Sequence, residues 1–134
     1  ENYFRLLTKA VSTGLFDIVG HLDLVKKFGR FPDRDWFPLV RGLLEEVKRT
    51  GMCIELNTSG LRKPVKEQYP SLRILTEAGK MGIPVTVGSD AHAPEEVGAG
   101  FDVARDLLLG AGYTETAVYE RRIITSMRKI VKTD

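Results

Sequence analysis

The run Ile83-Pro84-Val85-Thr86-Val87-Gly88-Ser89-Asp90-Ala91-His92 decides how this chain is read. Five mostly apolar, β-branched residues lead into Gly and a polar cluster, which is a short buried strand feeding a loop. Upstream, Leu72, Ile74, Leu75 and Ala78 recur at helical spacing from Ser71 onward, and Gly79 and Gly82 mark the stop. The unit is therefore helix, glycine, strand, polar loop. It occurs twice more toward the N-terminus. Phe37, Val40, Leu43, Leu44 and Val47 form a helix face that starts near Asp35 and ends at Gly51. Met52-Cys53-Ile54-Glu55-Leu56 is its strand, and Asn57 to Pro64 is its loop. Residues 2–13 carry the first helix, Gly14 stops it, and Phe16-Asp17-Ile18-Val19 is the strand before Gly20-His21-Leu22-Asp23. Short apolar strands, each just after a helix, predict parallel strands buried on both faces with helices outside. A fourth helix is predicted over about 99–111. Ala117 to Glu120 reads as a strand, and Arg121 to Thr125 either continues it or turns back.

Length and composition narrow the class. At 134 residues the chain has the size of one domain, and no internal boundary divides it. Apolar residues make up 43% and charged residues 28%, which is globular rather than disordered composition. Twenty basic against eighteen acidic residues leave a net charge of +2, which argues against a dedicated nucleic-acid binder. No apolar run approaches the ~18 residues of a membrane helix. The single cysteine, Cys53, has no partner for an internal disulfide and reads as a small buried apolar residue. The first residues, Glu1 to Arg5, carry no initiator Met and fall inside a helical pattern, so a piece of a longer chain is expected.

The chemistry collects where strands end. In parallel α/β proteins, ligands bind at the C-terminal ends of the strands, where loops converge. Both histidines of the chain sit there: His21 after the first strand, His92 after the third, each two residues from an aspartate (Asp23, Asp90). Glu55 and Asn57 close the second strand. Imidazole and carboxylate are the ligands of zinc, manganese and iron(II). In an extended segment, Asp90 and His92 would point the same way and grip one metal. Taken singly, each histidine also reads as a hydrogen-bonded structural residue, and Gly-Ser-Asp as turn chemistry. Arg62 offers a planar fork suited to phosphate oxygens. Lys26, Lys27, Arg30 and Lys63 lie near the same rim and read as solvated basic surface. Trp36 and Tyr69 could stack on a ligand, but read first as packing of helix against barrel. Gly98-Ala99-Gly100 is too short for a phosphate loop.

Three segments together, Phe16 to Val25, Glu55 to Pro64 and Gly88 to His92, resemble the polymerase-and-histidinol-phosphatase (PHP) superfamily, most closely its histidinol-phosphatases. The likeness runs in order over about residues 3–122. It implies the C-terminal half of a distorted (β/α)7 barrel, a TIM-like fold with parallel strands and outer helices. It implies up to three divalent metals (Zn, Mn or Fe) in the full-length protein, and hydrolysis of a phosphate monoester by water activated on them. Carried over by motif, His21, Asp90 and His92 match metal ligands, with Asp90 and His92 also placed in catalysis. Arg62 matches a residue aimed at the substrate phosphate. Asp23, Glu55 and Asn57 are expected to orient the ligands by hydrogen bonds.

The His-x-His motif of the family's N-terminal half is absent, so three ligands are expected to be too few for the full metal cluster. The 134 residues are expected to form one partial PHP domain, inactive alone, that needs the missing half or a swapped partner chain. The expected setting is the cytoplasm, with histidinol phosphate as substrate. Two further readings were weighed: a DNA 3′-exonuclease domain, which needs a basic track for single strands, and a non-catalytic PHP-like subunit that binds RNA or scaffolds a complex.

Overall fold

The computed structural model describes residues 2–29 and 35–131. Helix α1 (Asn2–Ser12) leads to β1 (Ile18–Val19), α2 (Phe37–Thr50) to β2 (Cys53–Asn57), and α3 (Leu72–Lys80) to β3 (Val85–Gly88). Single 3-10 turns follow each strand, at Leu24–Lys26, Ser59–Arg62 and Pro94–Glu96. Helix α4 (Phe101–Gly110) then precedes β4 (Glu115–Glu120) and β5 (Ile123–Lys129). The three expected helix–strand units are all present. Arg30 lies outside the described residues.

β1, β2 and β3 form one parallel sheet in that order, with Ile18 beside Cys53, Ile54 beside Val85 and Asn57 beside Gly88. Ile54 and Leu56 are fully buried and join Val40, Leu43, Leu44, Val47, Ile74, Leu75 and Ala78 in one core. The period of two sends Glu55 to the opposite face of the sheet. Successive helices pack on one another, α1 on α2, α2 on α3 and α3 on α4. Gly51 closes α2 in the left-handed region, φ +71°, with its N–H on the Lys48 and Val47 carbonyls, a cap that only glycine adopts without strain.

The end of the chain departs from the parallel pattern. β4 and β5 pair antiparallel as a hairpin that is not hydrogen-bonded into the first sheet. Arg121 and Arg122, the two loop residues, both have positive φ, as a tight two-residue hairpin turn demands. The Arg122 guanidinium holds this turn to the sheet, donating to Asp17 Oδ2 at 2.9 Å, Asp17 Oδ1 at 3.3 Å and the Leu15 carbonyl at 3.0 Å. Trp36 packs as expected, its ring stacked on Phe4 at 5.5 Å. No helix of the described residues is long and apolar enough to cross a membrane.

Candidate active site

The parallel sheet brings three expected residues together. The His21 Nε2 lies 3.0 Å from Asp90 Oδ2, joining the ends of β1 and β3 across 69 residues of chain. His21 Nδ1 lies 3.9 Å from Glu55 Oε2, on the strand between them. Room for that carboxylate comes from two glycines. A Cβ on Gly20 would stand 3.2 Å from Glu55 Oε2, and one on Gly88 would collide with Oε1. Asn57 steadies it, donating from Nδ2 to Glu55 Oε2 at 3.1 Å. Asn57 Oδ1 accepts both the Ser59 N–H at 2.9 Å and the Ser59 hydroxyl at 2.7 Å. The Tyr3 hydroxyl on α1 donates to the His21 carbonyl at 2.8 Å.

His21 and Asp90 both occupy the left-handed region, at φ +48° and +49°. Such backbone costs on the order of 1–3 kcal/mol per residue and persists where the surroundings over-determine it, often at functional sites. Burial works against ionised Asp90. The hydrogen bonds from His21 and Ser59, with the charges of His21 and His92, outweigh it and hold the carboxyl below its ordinary range.

His92 stands apart. Its side chain is largely exposed, Nδ1 lies 2.8 Å from the Asp90 carbonyl, and Asp90 Oδ1 is 4.0 Å away. The extended backbone expected for Asp90-Ala91-His92 is not what forms, because Asp90 turns left-handed and sends the two side chains different ways. Among the described residues, no three His, Cys, Asp or Glu side chains stand as a ready metal cluster. The donor set of imidazole and carboxylates, converging from three strands beside Gly20 and Gly88, nonetheless suits a divalent cation in its chemistry.

Asp23 goes elsewhere. It is buried, and its Oδ2 accepts Lys26 Nζ at 2.9 Å and the Ser71 N–H at the start of α3 at 2.9 Å. It ties the loop after β1 to α3, and no contact joins it to His21, Asp90 or His92 among the described residues. Lys26 corrects the reading of a solvated basic rim: it is only 3% exposed, and its second partner is Glu67 Oε2 at 2.8 Å. A lysine paired with a glutamate 41 residues further along the chain carries no local signal.

Arg62 meets the third strand end directly. Nη2 donates to the Ser89 carbonyl at 2.8 Å and lies 3.3 Å from the Asp90 carbonyl. Nε lies 3.2 Å from Glu96 Oε1. The Glu96 carboxylate also accepts the His92 N–H at 2.8 Å. That bond above all, joined by the charge and hydrogen bond of Arg62, holds the Glu96 carboxyl below its ordinary value against the opposing effect of burial. Sequence reasoning missed Glu96, whose only local mark is the turn-forming Pro94-Glu95-Glu96. It favoured packing for Tyr69 over stacking on a ligand. Tyr69 is buried, its ring is 5.6 Å from the His21 imidazole, and burial with the nearby Asp23 and Asp90 charges pushes its hydroxyl pKa up. Cys53 is buried, and burial above all pushes its thiol up to about 12, so it is no nucleophile.

A parallel sheet whose strand ends collect imidazole, carboxylate and guanidinium defines a class: α/β proteins that take a charged ligand over the C-terminal edge of the sheet. Within that class, the chain is similar to part of the PHP-type histidinol-phosphatases. Residues 72–107 match the PHP-associated C-terminal family model. A Deinococcus radiodurans protein named probable histidinol-phosphatase is 41% identical over 117 residues, 87% of this chain and 44% of that protein. The histidinol-phosphatase of Bacillus subtilis is 34% identical over 111 residues, 76% of this chain and 41% of that protein. The hisK structure from Listeria monocytogenes superposes with a TM-score of 0.68 at 31% identity, over 75% of this chain and 42% of that one. The fold is also that of Lactococcus lactis histidinol phosphate phosphatase, crystallised with zinc, L-histidinol and phosphate, at a TM-score of 0.76 and 23% identity, over 93% of this chain and 50% of that one. The chain thus spans about 44% of the length of its Deinococcus relative.

Proposed function

We propose that the protein containing this chain is a cytoplasmic, metal-dependent phosphomonoesterase acting on histidinol phosphate, and that residues 1–134 are one part of a single PHP domain with barrel architecture. The observation that carries the reading is the meeting of His21, Glu55 and Asp90 from three adjacent strands, with Arg62 anchored on the Asp90 carbonyl. The names of the sequence relatives support the substrate.

His21, Asp90 and His92 are the residues assigned to metal, with up to three zinc, manganese or iron ions in the whole enzyme. A metal bound there supplies positive charge that lowers the pKa of water and offsets charge on phosphoryl oxygens. The residues of this chain do the rest of what is assigned here. Tyr3 and Asn57 hold the His21 backbone and the Glu55 carboxylate in place. Arg62 binds the phosphoryl group. His92, exposed on its turn, must exchange its contact with the Asp90 carbonyl for the metal, and Asp90 stays ionised through neutral pH. The remaining ligands come from an N-terminal segment of the longer protein or from a partner chain.

The test is metal analysis and histidinol-phosphate hydrolysis on the complete gene product, in wild type, His21→Ala, Asp90→Asn and His92→Ala. Each variant is expected to lose bound metal and about 100-fold or more of turnover together. Full metal stoichiometry in His92→Ala would remove His92 from the ligand set. A metal-loaded wild type without hydrolysis would sink the phosphatase reading.

A further inference from the structure

An arginine presents five N–H donors in one rigid plane, and its usefulness toward an anion depends on which edge of that plane is left open. Here the edge carrying Nε and Nη2 is used inside the protein. Nε lies 3.2 Å from Glu96 Oε1, and Nη2 lies 2.8 Å from the Ser89 carbonyl and 3.3 Å from both the Asp90 carbonyl and Glu96 Oε2. Among the described residues, no hydrogen-bond acceptor stands on Nη1. The side chain is one-quarter exposed, so the open end meets solvent while the rest is fixed. Glu96 does a second thing with the same carboxylate: it accepts the His92 N–H at 2.8 Å. One acidic residue on the Pro94–Glu96 turn therefore grips both the guanidinium and the backbone of the turn that carries Asp90 and His92.

We infer that Glu96 is a positioning residue, which clamps the Nε–Nη2 edge of Arg62 and so presents Nη1 to an oxygen of the bound phosphoryl group. The inference deepens the phosphomonoesterase reading and rests on it. The physical basis is entropy: an unclamped arginine samples many rotamers, and each must be frozen when the anion binds. A clamp made beforehand removes that cost from binding. It also accounts for a carboxylate placed beside a group meant for an anion. Glu96 faces Arg62 on the edge away from Nη1, so its charge is consumed by the fork and by the His92 N–H rather than left facing the ligand.

The experiment is steady-state kinetics on histidinol phosphate with inorganic phosphate as inhibitor, using the complete gene product. The variants are Glu96→Gln, Arg62→Ala and the two combined. Glu96→Gln is expected to raise both KM and the phosphate inhibition constant about 10-fold, with kcat and bound metal within about 2-fold of wild type. Added to Arg62→Ala, the same change is expected to do nothing further, because the clamp has nothing left to hold. A melting curve of Glu96→Gln like that of wild type excludes simple unfolding. The clamp is overturned if Arg62→Ala weakens phosphate inhibition and Glu96→Gln does not, or if the two effects multiply in the double variant. If Arg62→Ala itself leaves phosphate inhibition unchanged, Arg62 is not the phosphate ligand and the reading beneath the clamp falls with it.

Discussion

Lys26 carries its ammonium group in a place closed off from water, between Asp23 at 2.9 Å and Glu67 at 2.8 Å and 5.5 Å from the centre of the Tyr69 ring. A buried charge is tolerable only when paired, and removing one partner is far costlier than never having made the pair. For Asp23 the same burial is the larger influence, and it pushes the carboxyl pKa up despite the attraction and hydrogen bond of Lys26. Asp23→Ala strips Lys26 of one of its two acids and Ser71 of its acceptor. We expect a loss of about 3 kcal/mol in urea unfolding. A loss under about 1 kcal/mol, the worth of an exposed pair, would show that the ammonium reaches water in solution. The residue scale is also where sequence reading met its limit. Asp23 and Asp90 are equally spaced from a histidine, yet Asp90 pairs with the distant His21 and Asp23 pairs with Lys26 and the Ser71 N–H. Spacing fixes sequence distance, but Asp90 finds its partner in His21, 69 residues back, and Asp23 finds one in the Ser71 N–H, 48 residues on.

At the scale of elements, the helices were legible and their ends nearly so. Gly51 and the face of Val40, Leu43, Leu44 and Val47 define α2 from sequence alone, and the structure agrees. The hairpin was not legible. Arg121-Arg122 is poor turn chemistry, since both residues must adopt positive φ, and the choice makes sense only once Arg122 is seen to reach Asp17. A second link between elements is chargeable to one carboxylate. Hydrogen bonds from Arg49 and then from Ser12 on α1 lower the Glu46 pKa to about 2. A carboxyl held below its unfolded value adds stability that is present above the unfolded pKa and is lost as pH falls through the folded one. The Glu46 contribution should therefore be complete at neutral pH and fade between about 4.5 and about 2. In thermal melts, Glu46→Gln should unfold at a lower temperature than wild type at pH 7, and the gap should close by pH 2. A gap that is constant with pH would place the effect in packing rather than charge.

Over the whole molecule, both edges of the parallel sheet lack a hydrogen-bonded partner strand among the described residues, and the β1 edge is the more apolar. β1 is bonded to β2 on one side only, and Leu6, Leu15, Phe16 and Ile18 remain exposed beside it, Leu15 at 68% and Phe16 at 54%. Apolar groups clustered at an open strand edge invite association. The proposed larger domain supplies a cover for them. Residues 1–134 expressed alone are expected to bind a hydrophobic dye and to associate, while the complete gene product does neither. Amide exchange at Ile18 and Val19 should be slower in the complete product. Equal exchange in the two would mean that nothing covers this edge and that the single-domain proposal is wrong.

What the sequence by itself determined was the order of elements, the parallel sheet and the placing of His21, Glu55, Asn57, Arg62, Asp90 and His92 at or after strand ends. Those features follow from local periodicity, glycine stops and the two-residue alternation of a strand, all short-range properties. Only the tertiary structure decided which of these side chains meet. His21 and Asp90 are brought to 3.0 Å by the register of three strands, and Glu55 is admitted between them because Gly20 and Gly88 leave the space. Asp23 was drawn to the Ser71 N–H at the head of α3, His92 was turned outward, and Glu96 was brought under Arg62. Each of those outcomes depends on contacts between residues distant in the chain or on a backbone angle that such contacts impose, and neither is written in local composition.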